Sequence, residues 1–291
     1  MASILEKIEN NAHLRMNSHP SEVFKLRGVW RCDYVLRLTQ EESVFHLHYL
    51  LAQTKGQGCC YYDLTDEKPV VDESFLGKNV LSMRFKSRAL QIAALDAVYS
   101  SLNGKPFKSI IIKGSNIEKA HRRATIVCNE VLSIIRKRKP KQGNKFNVLN
   151  VGVVGSFLSI LTRGKKLRVK ASDLYEKVAG KTVHGVTVEH GTYGSAKSHK
   201  RDTPLGTRTL ELVAEADLAV VTGMTLANGT LDGILATALE HKTALLIFAE
   251  TGANFASEYC KMGVDAVVSE PFPFYLTCDG PTRINIYRYR K

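Results

Sequence analysis

Residues 217–232, DLAVVTGMTLANGTLD, concentrate groups able to hold a ligand. Thr222, Thr225, Asn228 and Thr230 bring hydroxyl and amide groups around Gly223 and Gly229. The apolar run 218–221 precedes them, and Leu231, Ile234, Leu235, Ala238 and Leu239 follow at helical spacing. A strand, a small polar loop and a helix start form the usual place for a ligand in an open α/β sheet, and the helix start favours negative charge. A helix cap accounts for one polar residue there, not for four. Asp232 falls in the helix's first turn, where it either complements the dipole or serves as an oxygen ligand to a metal ion.

Two other turns add candidates. The first strand-to-helix turn reads GVVGSF, and it offers Gly155, Ser156 and Phe157. Its glycines would let a phosphate or carboxylate approach the backbone, but it lacks the third glycine of the dinucleotide fingerprint. Asp173 lies 18 residues after Gly155 and ends the next strand, near the spacing of an acid that holds a ribose hydroxyl. A turn aspartate and a helix-packing glycine explain the same letters. Glu250 follows the strand at 244–249, either as a carboxylate facing the crevice or as a solvated loop acid. His184, Glu189, His190 and His199 are scattered without metal-ligand spacing. No activated nucleophile and no acid–base pair stands out, so no reaction can be written.

The elements that must position these residues fall into two units. Residues 1–105 read as a smaller α+β unit, with strands at 32–38 and 44–51 joined by a turn at 39–43, a short strand at 59–64 and a helix at 88–102. His46 and His48 share one strand face there. Residues 106–291 alternate strand and helix. Strands are expected at 110–112, 148–154, 167–172, 218–221, 244–249 and 264–268, with a further strand at 182–189. Helices are expected at 118–138, 157–161, 207–216, 231–241 and 254–262. Such alternation with apolar strands implies an α/β fold with a Rossmann-like, mostly parallel sheet covered on both faces. Residues 192–203 read as a polar loop over the sheet edge.

Bulk properties bound the function. The chain has 291 residues, 44% hydrophobic and 24% charged, enough to bury a core. No apolar run approaches the roughly 18 residues of a membrane helix, and residues 1–15 lack the apolar core of a secretory signal. A cytoplasmic protein with no membrane partner is the expectation. The six cysteines include no C-x-x-C pair, so reduced thiols are expected, with Cys128 a small buried apolar residue. The net charge of +13 suits anionic ligands, nucleic acid or an acidic partner. Its densest run, RKRKPKQGNK at 136–145, reads as a solvated helix end, because no aromatic residue is interleaved with the basic ones.

Residues 220–235, VVTGMTLANGTLDGIL, resemble the T-G-x-x-L-x-N-G-T-L-D hallmark of an uncharacterised bacterial and archaeal family named for heavy-metal chelation. GVVGSF and MGVDAVVSEP at 262–271 fit that family's Rossmann-like C-terminal domain, and residues 87–104 look like the helix closing its enolase N-terminal-like first domain. The resemblance implies metal or metal-chelate binding. One departure is Glu250-Thr251-Gly252-Ala253, which stands where the family usually carries a Gly-Pro-Ser-Thr-Pro-like loop. The leading expectation is a small anionic ligand or metal chelate held in a cleft between the two units, with Asp173 and Glu250 selecting by charge. One alternative is an enzyme using a nucleotide-type cofactor, S-adenosylmethionine or NAD(P), on a carboxylated metabolite. Another is a nucleic-acid-binding module. Homodimerisation is left open.

Overall fold

The computed structural model describes residues 2–36, 45–62, 69–192, 207–273 and 280–289. The turn at 39–43, His199, Cys278 and most of the loop at 192–203 lie outside the described residues.

Helix α1 (Ile4–Arg15) opens the chain with a capping box, in which the Ser3 hydroxyl accepts the Glu6 N–H and Glu6 reaches back to the Ser3 backbone. Its buried residues, Ile4, Leu5, Ile8 and Ala12, recur at helical spacing and form one inward face. Strands β1 (Gly28–Leu36), β2 (Phe45–Gln53) and β3 (Gln57–Tyr61) make an antiparallel meander. Helix α2 (Arg88–Leu102), capped by Ser87, lies against it. The two backbones touch at Gly58, where a Cβ would stand 2.1 Å from the Ala97 nitrogen and 2.2 Å from the Ala93 carbonyl. Only glycine permits that approach.

The rest of the chain builds one nine-stranded sheet. It holds β4 (Lys108–Ile112), β5 (Phe146–Val151), β6 (Leu167–Asp173), β7 (Thr182–Val183) and β8 (Val186–His190). β9 (Leu218–Thr222), β10 (Ala244–Ala249), β11 (Ala266–Ser269) and β12 (Thr282–Arg288) complete it. The order is β4-β12-β11-β10-β9-β5-β6-β8-β7, and the run from β11 to β8 is parallel. Helices α3 (Asn116–Ile135), α4 (Gly155–Leu161), α5 (Thr207–Glu215), α6 (Met224–Ala227), α7 (Leu231–Glu240) and α8 (Ala256–Lys261) connect the strands. The fold is α/β, with a mostly parallel sheet preceded by a smaller α+β unit. Among the described residues no helix is long and apolar enough to cross a membrane.

Four local features differ from the sequence-based expectations. The strand at 182–189 is a hairpin, turned by His184 and Gly185 at φ 47° and 79°. The polar loop after β9 contains the helical turn α6. The helix expected at 254–262 starts with a 3-10 turn, Ala253–Phe255. β12 was not anticipated: it pairs antiparallel with both β11 and β4, and the alternation in TRINIYR is short, ending where Tyr287 is buried next to the buried Ile286.

One hydrophobic cluster runs from α1 and α2 into the sheet face beneath α5, α7 and α8, and a second, containing Cys128, lies between the other face, α3 and α4. The smaller unit is therefore packed directly on the larger one. Asp96 of α2 fastens the junction. Its fully buried carboxylate accepts the Cys59 N–H of β3 at 2.9 Å and the Asn254 N–H after β10 at 2.7 Å, while Asn254 Nδ2 donates to the Asp96 carbonyl at 3.0 Å. Burial pushes this carboxyl up to about 8, against the opposing pull of those N–H groups.

Asp96→Ala would strand two buried donors at a cost of roughly 3 kcal/mol or more, read as a lower melting temperature. Because the folded pKa lies above the unfolded one, the neutral carboxyl's contribution is complete below the ordinary aspartate range. It is lost as pH rises through about 8. The stability gap between wild type and Asp96→Asn should therefore narrow from pH 4 to pH 8, as read by parallel thermal melts.

Candidate functional site

The chain order of the strands creates a switch point. From β5 the chain moves outward to β6 and β8, then returns to β9 on the other side of β5 and continues to β10 and β11. The loops leaving β5 and β9 at their carboxyl ends therefore diverge and open a crevice between them. The structure has a cleft there. Its inner cavity measures about 40 Å³, and the hollow including its mouth about 420 Å³.

The wall on the β5 side is shaped by Asn150, fully buried in the strand. Its Nδ2 donates to the Gly152 carbonyl at 3.2 Å, and its Oδ1 accepts the Val154 N–H at 3.3 Å. Gly152 has φ 72°, and a Cβ there would stand 2.1 Å from Thr222 Oγ1. Glycine is thus required twice, by its conformation and by its neighbour.

Asp173, at the end of β6, supplies the acid. Its Oδ2 accepts the Val153 N–H at 2.7 Å and its Oδ1 the Tyr175 N–H at 2.8 Å. Burial raises its pKa, while those backbone donors and His190 pull the other way. With the Val153, Tyr175 and Leu174 N–H groups as donors, the carboxylate keeps one of its four lone-pair sites for a further donor.

The β9 wall is the segment that stood out in the sequence. Thr222 is 5% exposed, and among the described residues its Oγ1 has no hydrogen-bond partner. Such a group is unusual, because buried polar atoms are nearly always paired. Thr225 donates its hydroxyl to the Thr222 carbonyl at 2.8 Å. Asn228 Oδ1 accepts both the N–H and the hydroxyl of Thr230, at 3.1 and 2.7 Å, so Asn228 shapes the break between α6 and α7 and Thr230 gives α7 no side-chain cap. Gly229, at φ 80°, sits exposed in that break. Gly223 lets the loop after β10 come close, since its Cβ would meet the Thr251 carbonyl at 2.4 Å.

Asp173, Thr222, Thr225, Asn228 and Thr230 therefore meet on one cleft. The other named residues lie elsewhere. Gly155 and Ser156 begin α4, outside the cleft lining, with Gly155 beside the β7–β8 hairpin tip. Phe157 is fully buried, edge-on to Phe248 with ring centroids 5.1 Å apart, and serves the core. Asp232 accepts the Ile4 N–H at 2.6 Å and so fastens α1 to α7. Among the described residues, no three His, Cys, Asp or Glu side chains converge where a metal ion could be held. The described lining comes wholly from residues after 106.

Glu250 belongs to a second cluster at the same rim. Arg123 of α3 donates from Nη1 to Glu250 at 2.5 Å and to Glu270 at 3.1 Å, and Tyr49 of β2 donates to Glu250 at 3.2 Å. Thr282 donates to Glu270 at 2.8 Å. The Arg123 guanidinium also lies 4.9 Å from the centre of the Phe248 ring. Burial is the main cause raising the Glu270 pKa; Arg123 opposes it and Glu250 adds to it. Arg123 and Glu270 were not singled out from the sequence. A signal was present for Glu270, which directly follows β11 as Glu250 directly follows β10.

No protein-family model and no curated protein matches this chain. Among solved structures it is similar to a DUF364-family protein of unknown function from Desulfitobacterium hafniense, with TM-score 0.54 and 11% identity, covering 96% of this chain and 98% of that one. It is also similar to a DUF364-family protein of unknown function from Pyrococcus horikoshii, with TM-score 0.49 and 15% identity, covering 92% and 87%. The first likeness extends over both units and is one of fold alone.

Thr222→Val should leave the melting temperature unchanged or raised, because it removes an unpartnered hydroxyl. Thr225→Val should cost about 1 kcal/mol, because its hydroxyl is paired. Gly152→Ala should cost more than about 1 kcal/mol from its backbone conformation alone. Denaturant titration of the three variants checks the order.

Proposed function

We propose that the cleft between the β5 and β9 loops binds a small molecule by a hydroxyl-bearing end, as the ribose of a nucleotide-type cofactor would present. The observation carrying this reading is the unpartnered Thr222 Oγ1, buried in the lining that also holds Asp173. A carboxylate with a spare lone pair accepts from a diol, and a threonine hydroxyl can give or take. The inner cavity, about 40 Å³, has room for a few waters or one such polar group. The bulk of the ligand would then rest at the mouth, near Asn228 and Thr230.

Charge refines the class. The described lining contains one acid, Asp173, and no Lys or Arg. In that lining the start of α7, which has no side-chain cap, favours negative charge and Asp173 opposes it, so the anionic-ligand expectation draws little support from it. The heavy-metal reading rests on the resemblance of the β9 segment alone. The position of Asp173, at the end of the strand next to the glycine turn, is that of a ribose-holding acid in dinucleotide-binding folds.

Calorimetry and thermal melts with adenosine, AMP, NAD and S-adenosylmethionine test the reading. A ribose-bearing compound at 100 times its Kd should stabilise the fold by about 2.7 kcal/mol. Its 2′,3′-dideoxy counterpart should bind at least about tenfold more weakly, the equivalent of one lost hydrogen bond. Asp173→Asn and Thr222→Val should each weaken the response. A protein that ignores all four compounds and responds to phosphate or citrate would overturn the proposal and restore the anionic one.

A further inference from the structure

The net charge of +13 is not spread evenly over the molecule. In a parallel sheet, every chain segment entering a strand lies on the edge opposite the switch-point cleft. Here the segments entering β5, β6 and β10 are basic, while Glu215 and Asp217 lead into β9 and Asp265 into β11. Arg136, Lys137, Lys139 and Lys145 lead into β5. Arg163, Lys165 and Lys166 lead into β6, and Lys242 into β10. β12 and β4 bring Lys105 and Lys108 to the same edge, because Lys108 pairs with Ile286 and Arg288 with Ala266 at the start of β11. All ten of these cations are exposed, and none makes a salt bridge among the described residues.

The acids of this edge are mostly engaged. Asp265 pairs with Arg138 at 2.8 Å, Glu130 with Arg288 at 2.8 Å, and Glu258 with Arg15 and Lys261 at 2.7 and 2.8 Å. Asp217 is buried and accepts the Lys141 and Asn147 N–H groups. Glu240, at the end of α7, is exposed. The surplus is strongly positive.

Aromatic groups stand within this field. A hollow of about 240 Å³ lies between α8, the Lys105–Phe107 approach to β4 and the end of β12. Phe107 is 55% exposed and Tyr289 is 47% exposed at its rim. The Arg288 guanidinium lies 4.2 Å from the Phe107 ring centre. The Tyr289 N–H donates to the Asp265 carbonyl at 3.0 Å, and Asp265 holds Arg138, so the hollow adjoins the basic run before β5. Residues 287–291, YRYRK, interleave aromatic and basic letters, the pattern that the run 136–145 lacks.

We propose that this edge binds single-stranded nucleic acid, with the backbone following the basic loops and a base stacking at Phe107 and Tyr289. Positive grooves that track phosphates, combined with exposed ring faces that receive bases, are the shared physics of single-strand binders. The stacking platform favours a single strand over a duplex, whose bases are covered, and over an acidic peptide or lipid surface, which has no base to stack. The surface lies on the opposite edge of the sheet from the ligand cleft and does not rest on it.

Fluorescence anisotropy of the full chain with a labelled single-stranded RNA of about 16 nucleotides tests this. Affinity should fall with salt at a log–log slope of about −0.7 per phosphate contacted. Phe107→Ala with Tyr289→Ala should weaken binding about tenfold or more at an unchanged slope. Lys137→Glu with Lys139→Glu should flatten the slope. If the aromatic variant is unstable, photo-crosslinking of 4-thiouridine RNA to wild type should label peptides containing Phe107 or Tyr289. The proposal is overturned by absence of RNA retention at low salt. It is also overturned by equal affinity for heparin, duplex or anionic vesicles with no effect of the aromatic variant, or by crosslinks confined to other surfaces. Small-molecule binding at the cleft should be unchanged in all these variants.

Discussion

A carboxyl group buried without a cation, and held largely neutral by that burial, joins the two units of this molecule. Asp96 lies on the helix that closes the smaller unit, yet both of its oxygens receive N–H groups from elsewhere, one from β3 and one from the turn after β10. Neither N–H has water available there, and neither segment could take its present course without an acceptor at that point. The loop after β10 then reaches Gly223, which has no side chain to obstruct it. Through that contact the placement of the β9 loop, and hence of Thr222 and Asn228, depends on how the smaller unit is seated.

The Arg123 cluster has a related role at the neighbouring strand ends. Two carboxylates at the ends of β10 and β11 share one guanidinium, and Tyr49 of the smaller unit donates to one of them. Removing one partner from such a buried set leaves a charge without compensation, so the cluster holds the rim in one arrangement. Glu250 is thus an internal member of the junction, and the acid left in the cleft is Asp173.

Much of the architecture was legible in the letters. The parallel strands are continuous apolar runs, and helices α2 and α3 announce themselves by period and by Ser caps. The loop 222–230 was legible as a site because four polar side chains gathered where one cap would suffice. What was hidden depended on distance. Nothing local to Phe157 distinguishes a ligand contact from a ring packed on Phe248, and nothing local to Asp232 reveals that its partner is Ile4. β12 was missed although Arg283 and Asn285 alternate with the buried Thr282, Ile284 and Ile286, because the pattern is short and breaks at Tyr287, which is buried out of phase. The hollow beside Phe107 joins residues from three separate stretches, so no window of sequence contains it.

The bond from Ile4 to Asp232 spans 228 positions. A ribosome adding about 5–20 residues per second takes roughly 10–45 s to make that length of chain. During that time the Ile4 N–H lacks its acceptor, although α2, on which α1 packs, has already been made. The capping box of α1 supplies local helical order in the interval and α2 can cover the apolar face of that helix, so the late bond to Asp232 locks an element that is already docked.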